Sequence, residues 1–304
     1  MNAKQRVLAS QCGQSVASAV FASALSDCRC RRSPKERPWS QHPLGIRRMS
    51  VNGVIQAGLG LFGLRLIRLN ETPLHRFFAA LKARGFSPRH IIDVGANRGY
   101  WTRGALEYFP EAYYTLIEPQ DHLKRDVQDL LTRKDGKIQW IGAGVSNAPG
   151  TLPFTISYRD VSSSFAISSE SAEGYGMRQI MVPVLTLNEV VRTSRAPFPE
   201  MVKIDAEGFD LRVIEVSSDL LGKTDIFLLE ALIFRSNTDK TEKQLRKSWD
   251  NLIETAIDVM SHAGYHIIDI TDLNRSPKYG VLWLCEVAFL RNESSLLAGI
   301  DSYE

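Results

Sequence analysis

Apolar and polar positions along this chain fall into short blocks that switch between two periods, and the sharpest block is Ile91-Ile92-Asp93-Val94. Its β-branched residues predict an inner strand, and Pro88 just upstream stops whatever helix came before. From there the blocks alternate. Trp101–Phe109 reads as a helix, Tyr113–Ile117 as a strand, His122–Leu131 as a helix and Lys137–Ile141 as a strand, which is the order of a parallel α/β sheet. Upstream, Pro73 opens a helix that runs through Leu81 and Ala83 and closes at Gly85.

Beyond residue 150 the alternation breaks. Gly150–Ser157 and Ile180–Leu187 read as strands around a polar stretch containing Ser162-Ser163-Ser164-Phe165, so an inserted hairpin or flap is expected over about residues 150–182. Thr186-Leu187-Asn188-Glu189 has the form of a capped helix start, and Pro197 and Pro199 break the chain before the next strand. That strand, Met201–Ile204, runs into Asp205-Ala206-Glu207-Gly208-Phe209-Asp210. A helix through Val213 and Val216 is expected next, then a strand Ile226–Leu229 ending in Glu230, then a long amphipathic helix from Lys243 to His262. Tyr265–Ile270 and Val281–Leu290 close the chain as an expected antiparallel pair at the sheet edge.

Composition adds boundaries. The chain has 304 residues, 44% hydrophobic and 23% charged, ordinary for a globular protein with one large core and an added tail. Its formal charge of +3 is too small to argue for nucleic acid, and nine of the basic residues lie in the first fifty against only Asp27 and Glu36. Residues 1–50 are Ser-, Ala- and Arg-rich without a helical period; a disordered tail or an extraneous upstream extension, with Met49 as a start, is favoured over a transit peptide. Residues 51–90 read as an N-terminal helical cap and 91–304 as the main domain. Within the cap, the apolar run Val54–Leu64 is too short to span a bilayer, and packing on the core is favoured over peripheral membrane contact through residues 51–69. Four cysteines make no disulfide framework, and Cys28-x-Cys30 lacks a second ligand pair for a metal. A reducing, cytoplasmic setting is expected, with Cys285 as a small core residue.

The first strand ends at Gly95, where a glycine permits a turn with positive φ and lets main-chain N–H groups approach a ligand; Gly99 recurs as the next helix begins. Packing of helix on strand would use the same two glycines. The second strand, however, ends in Glu118, 19 residues beyond Gly99, where an acid accepts hydrogen bonds from ribose hydroxyls in nucleotide-binding βαβ units. Asp205, Glu207 and Glu230 are further carboxylates at strand ends, suited to act as a general base, to bind substrate hydroxyls or to hold a divalent metal; for Asp205, capping the following helix is the rival role. No His or Cys set has metal-ligand spacing, and His262 and His266 read as structural.

Taken in order, these motifs resemble the FkbM-type family of class I S-adenosylmethionine-dependent O-methyltransferases. The resemblance rests on Asp93-Val-Gly-Ala-Asn-Arg-Gly99, Glu118-Pro119, Gly142-Ala143-Gly144-Val145-Ser146, Ser162 to Ser164, Val184-Leu185-Thr186-Leu187 and Lys203-Ile-Asp-Ala-Glu-Gly-Phe-Asp210, over roughly residues 73–290. It implies a Rossmann-like α/β fold with a seven-stranded, mostly parallel sheet and an antiparallel C-terminal strand. It further implies that Asp93, Gly95, Asn97 and Gly99, with Thr102 beside them, surround the methionine part of S-adenosylmethionine, that Glu118 holds the ribose, and that Gly142, Ala143, Gly144 and Val145 lie near the adenine. Asn97 stands where the general methyltransferase motif has its middle glycine. The expected acceptor is a hydroxyl of a sugar, glycolipid or secondary metabolite, with Ser162 to Ser164 as candidate lining of its pocket and a solvated loop as their other reading. Two other readings compete: a nicotinamide-dependent oxidoreductase, which predicts a glycine at position 97, and a non-catalytic binding module, which has no need of the strand-end acids. Loop composition encodes neither the acceptor nor the oligomeric state.

Overall fold

The computed structural model describes residues 72–133, 135–157, 163–233 and 251–300. Residues 1–71, and with them the tail, the run 51–69 and most of the cap, lie outside the described residues, as do Ser162 and residues 243–250 of the expected long helix. Within the described residues, helix α1 (Pro73–Ala83) starts on Thr72, whose hydroxyl accepts from the His75 amide, and ends at Arg84 before Gly85 at φ 84°. It leads into β1 (His90–Val94), α2 (Tyr100–Tyr108) and β2 (Tyr113–Ile117). A 3₁₀ stretch over Asp121–Val127 then runs into the short helix α3 (Gln128–Leu131) before β3 (Ile138–Ile141). One α-helix was expected over that span. Leu123, Val127 and Leu130 are buried in this mixed winding, and their spacing of four and three suits either form.

The chain continues through β4 (Gly144–Val145), β5 (Gly150–Ile156), α4 (Ser169–Gly174), β6 (Arg178–Leu185), α5 (Leu187–Thr193), β7 (Met201–Ile204) and α6 (Asp210–Glu215). It closes with β8 (Ile226–Leu232), α7 (Ile253–His262), β9 (Tyr265–Arg275) and β10 (Leu282–Arg291). The expected strand Ile180–Leu187 stops at Leu185 because Thr186 leaves the sheet to cap α5, its hydroxyl accepting from the Glu189 amide while the Glu189 carboxylate accepts from the Thr186 amide.

Seven strands form one sheet in the order β3-β2-β1-β7-β8-β10-β9. Every neighbour pair is parallel except those involving β10, which runs against both β8 and β9, so six strands share one direction. This is the Rossmann-like methyltransferase sheet expected from the family resemblance. Successive residues of the inner strands feed opposite faces: Ile92, Val202 and Phe227 pack in one core layer, Ile91, Met201 and Leu228 in the other. Strand order reverses between β1 and β7, and ligands in open α/β sheets bind outside the strand ends at such a point. The span after β3 builds a second sheet of order β4-β6-β5, in which β6 is parallel to β4 and antiparallel to β5. Cys285 is fully buried. No helix among the described residues is long and apolar enough to cross a membrane.

Candidate active site

Where β1 and β2 end beside β7, a crevice opens, lined by Gly95, Asn97, Glu118, Ala143, Asp205 and Glu207 among others. Its floor is a close backbone approach. Gly95 sits at φ 72°, and a Cβ built on it would lie 2.1 Å from the Asp205 carbonyl oxygen, so only glycine lets β1 and β7 meet here. The turn is then pinned by Gly95 and Ala96 amides donating to the Ile117 carbonyl at 2.9 and 3.1 Å.

Asn97 takes φ 45°, a left-handed conformation that Asn tolerates better than most residues. Its side-chain oxygen folds back onto the Arg98 amide at 2.8 Å. Its own amide donates to Glu118 Oε2 at 2.9 Å, and Glu118 Oε1 accepts from the Gln120 amide at 2.9 Å. Asn97 thus supplies the backbone geometry that a middle glycine would, without a side chain projecting across the turn. Burial raises the proton affinity of Glu118, and the two amides oppose that rise. Both oxygens are therefore held in place, and Glu118 lines the crevice.

Four residues expected at the cofactor are not among those lining the crevice. Thr102 is fully buried on α2, with its hydroxyl donating to Asp93 Oδ2 at 2.6 Å. Asp93 is itself fully buried, opposite Lys203 of β7 in the register, with the Lys203 ammonium 3.4 Å from its Oδ1. Gly99 serves packing: a Cβ there would come within 2.9 Å of Val127 and 3.1 Å of Leu130. A Cβ built on Gly142 would lie 3.1 Å from Asp121 Oδ1 and 3.7 Å from Trp140 Nε1, while Ala143, Gly144 and Val145 after it do line the crevice. Gly144 has to be glycine because the Phe165 ring would lie 2.3 Å from its Cβ.

On the β7 side stands Lys203, a residue for which the sequence alone predicts no role. Its ammonium is buried and donates to the carbonyls of Val94 and Gly95 and to Asp205 Oδ2, each at 3.2 Å, with Asp93 Oδ1 at 3.4 Å. Burial lowers its pKa, but the charges of Asp205, Asp93 and Glu286 outweigh burial and hold it above the usual lysine value. Lys203 therefore ties the two strand ends together and orients Asp205. A signal for it was present in the Lys-x-Asp spacing, but its partner on β1 lies about a hundred residues away and becomes visible only with the register.

Asp205 does not cap α6. That helix begins after Phe209 without a side-chain cap, and the buried Asp210 instead accepts from the Ala206 and Gly208 amides at 3.4 and 3.3 Å. Glu207, between those amides, is held at φ 48°. Glu230 is not at a strand tip: β8 continues to Leu232 because Ala231 and Leu232 pair with Cys285 and Leu284 of β10. One carboxylate oxygen from each of Asp205, Glu207 and Glu230 nevertheless lies within 4.8 Å of the other two. Burial, then the charges of Asp205, Glu207 and Asp210, push the Glu230 pKa well above the ordinary carboxylate range, with Lys203 opposing. Such a trio can accept a proton, take hydrogen bonds from hydroxyls, or hold a divalent cation. His262 and His266 sit apart, bonded to the Asp258 carbonyl and to Asn292 Oδ1.

The donor set fits S-adenosylmethionine: a glycine turn, an aimed acid at the end of the second strand, and carboxylates on the far wall where a cationic sulfonium is favoured. Solved structures similar to this chain include the precorrin-6y C5,15-methyltransferase of Geobacter metallireducens, at TM-score 0.38 and 11% identity over 81% of this chain and 92% of that one. The 1,6-didemethyltoxoflavin-N1-methyltransferase of Burkholderia thailandensis is similar at TM-score 0.38 and 15% identity over 77% and 83%. The mitomycin 7-O-methyltransferase is similar at 0.39 and 12% over 72% of this chain, which spans about half (53%) of that longer protein. Comparison with curated proteins returns no match. Residues 93–267, more than half of the chain, match the family described as the methyltransferase FkbM domain. The protein belongs to that family and is an S-adenosylmethionine-dependent methyltransferase.

Proposed function

We propose that this protein transfers the methyl group to a hydroxyl oxygen of a neutral, polyhydroxylated acceptor, namely a sugar, a glycolipid or a related secondary metabolite. The observation that carries this reading is the convergence of Asp205, Glu207 and Glu230 beside the crevice, with Lys203 buried beneath them. Carboxylate oxygens accept hydrogen bonds from hydroxyl donors and repel anions, so a phosphorylated or carboxylated acceptor would be opposed by the same groups that favour a polyol.

S-adenosylmethionine supplies, when bound, a methyl group already activated on sulfonium. What remains for the chain is alignment, exclusion of water and removal of one proton. Glu118 would hold the ribose hydroxyls, the Gly95-Ala96-Asn97 turn would receive the methionine part, and Ala143, Gly144 and Val145 would border the adenine. Asp205, oriented by Lys203, and Glu207 hold the acceptor. Glu230, whose carboxylate lies beside those of Asp205 and Glu207, would in its deprotonated form take the proton of the acceptor hydroxyl, while Asp205 stays bound to Lys203. A second reading, a divalent cation held by the same trio, is favoured only by the 4.8 Å spacing of its oxygens.

Incubation with methyl-labelled cofactor and a metabolite extract of the source cells, followed by identification of the labelled product, tests the proposal. A labelled methyl ether is expected, formed equally in excess EDTA and lowered about a hundredfold by Glu230→Gln. Label on nitrogen or on a carboxylate would refute the acceptor class. Loss in EDTA, restored by magnesium, would favour the cation.

A further inference from the structure

The inserted sheet does more than roof the crevice. Ser163 and Ser164 are both only 3% exposed, and their two hydroxyls bond in opposite directions. The Ser163 hydroxyl accepts from the Ser157 amide at 3.0 Å and donates to Gln120 Oε1 at 3.4 Å, on the cofactor side just past Glu118. The Ser164 hydroxyl donates to the Glu207 carbonyl at 2.8 Å and accepts from the Ala166 amide at 2.9 Å. The Ser164 backbone is itself fixed, exchanging both hydrogen bonds with Thr155 of β5 at 3.0 Å each. Phe165 follows, in ring contact with Phe154 of the insert and Phe209 beyond Glu207.

Glu207 is the residue whose conformation most needs such support. A non-glycine residue is disfavoured at φ 48°, so the turn persists only if its surroundings hold it. Asp210 binds the amides on either side, and Ser164 binds the carbonyl between them. We propose that Ser164 is a positioning residue: from the inserted sheet, its hydroxyl locks the strained Glu207 turn and so aims the Glu207 carboxylate at the acceptor. This inference rests on the acceptor role proposed above for Glu207.

The test compares Ser164→Ala, Ser164→Thr and Glu207→Gln with the wild-type full-length chain. Amide hydrogen exchange of residues 206–208 is read together with calorimetric affinity for S-adenosylhomocysteine and incorporation of labelled methyl into the metabolite extract. Ser164→Ala is expected to speed exchange in the turn about fivefold, as loss of one buried hydrogen bond does. It should lower incorporation about tenfold while leaving S-adenosylhomocysteine affinity unchanged, and Ser164→Thr, which keeps the hydroxyl, should restore both readouts. Unchanged exchange in Ser164→Ala, or failure of Ser164→Thr to restore it, overturns the inference whatever the incorporation. Faster exchange with wild-type incorporation, while Glu207→Gln has lost it, also overturns the inference but leaves the acceptor role of Glu207 standing. Wild-type incorporation by Glu207→Gln overturns that role, and the inference with it.

Discussion

At the scale of single residues, the two glycines of the first turn look alike in sequence and differ in what surrounds them. A Cβ at Gly95 meets backbone, the Asp205 carbonyl at 2.1 Å, whereas a Cβ at Gly99 meets side-chain atoms of Val127, Arg103 and Leu130 at 2.9–3.1 Å. Backbone cannot yield without parting β1 from β7; side chains can turn. Gly95→Ala is therefore expected to cost about 3 kcal/mol and to abolish S-adenosylhomocysteine binding. Gly99→Ala should lower the melting temperature by a few degrees and keep binding. Equal loss of calorimetric binding in both variants would contradict the assignment. The acids divide in a similar way. Glu118→Gln places an amide nitrogen against one of two backbone N–H donors and should weaken S-adenosylhomocysteine by about tenfold to a hundredfold. Asp205→Asn should leave that affinity near wild type and lower turnover, because its carboxylate belongs to the acceptor wall in the proposed mechanism. An affinity loss in Asp205→Asn as large as in Glu118→Gln would merge the two roles.

At the scale of elements, what could be read from sequence was whatever declared itself locally. The β-branched run before Gly95, the helix start at Pro73, the Thr186 cap and the strand just before Glu118 each carry their cause within a few residues. The Thr186–Glu189 box is one such unit, remote from the crevice chemistry but at the entrance to β7. Thr186→Ala is expected to cost about 1 kcal/mol, read as a drop of a few degrees in melting temperature, with S-adenosylhomocysteine affinity unchanged. No drop would mean that the packing of Leu187 and Val190, both buried, holds α5 without its cap. What could not be read was register. The family resemblance implies Asp93 and Thr102 at the cofactor, and what it does not carry is that the two are fully buried and bonded to each other, with Lys203 of β7 beside Asp93. The contact between Ser164 and Glu207 joins residues 43 apart through a sheet whose strands were legible but whose docking was not.

At the scale of the whole molecule, one lysine is set among many buried acids, and that imbalance is a stability statement. Asp210 is fully buried, its pKa pushed up to about 7 by burial and then by the Asp205 charge, against the hydrogen bond from Asn251. Glu286 is likewise raised to about 7 by burial, with Lys203 opposing. An unfolded chain would titrate both near 4. Between those values the folded state binds more protons than the unfolded one, so each group contributes stability that is complete below about pH 4 and is lost as pH rises through about 7. His90 works against this trend. It is buried with a lowered pKa, so its contribution grows as pH rises towards its unfolded value of about 6.5. The net curve therefore mixes signs, but the isosteric variant Asp210→Asn removes one acid and leaves His90 in place. Measured by urea denaturation, wild type should lose stability relative to Asp210→Asn between pH 5 and 8, because only wild type must ionise a carboxylate sealed beneath the Glu207 turn. Parallel curves for the two proteins would mean that the folded chain keeps Asp210 ionised at both ends of that range. The sum of Lys203 and the hydrogen bonds from Asn251, Ala206 and Gly208 would then exceed the cost of burying the charge.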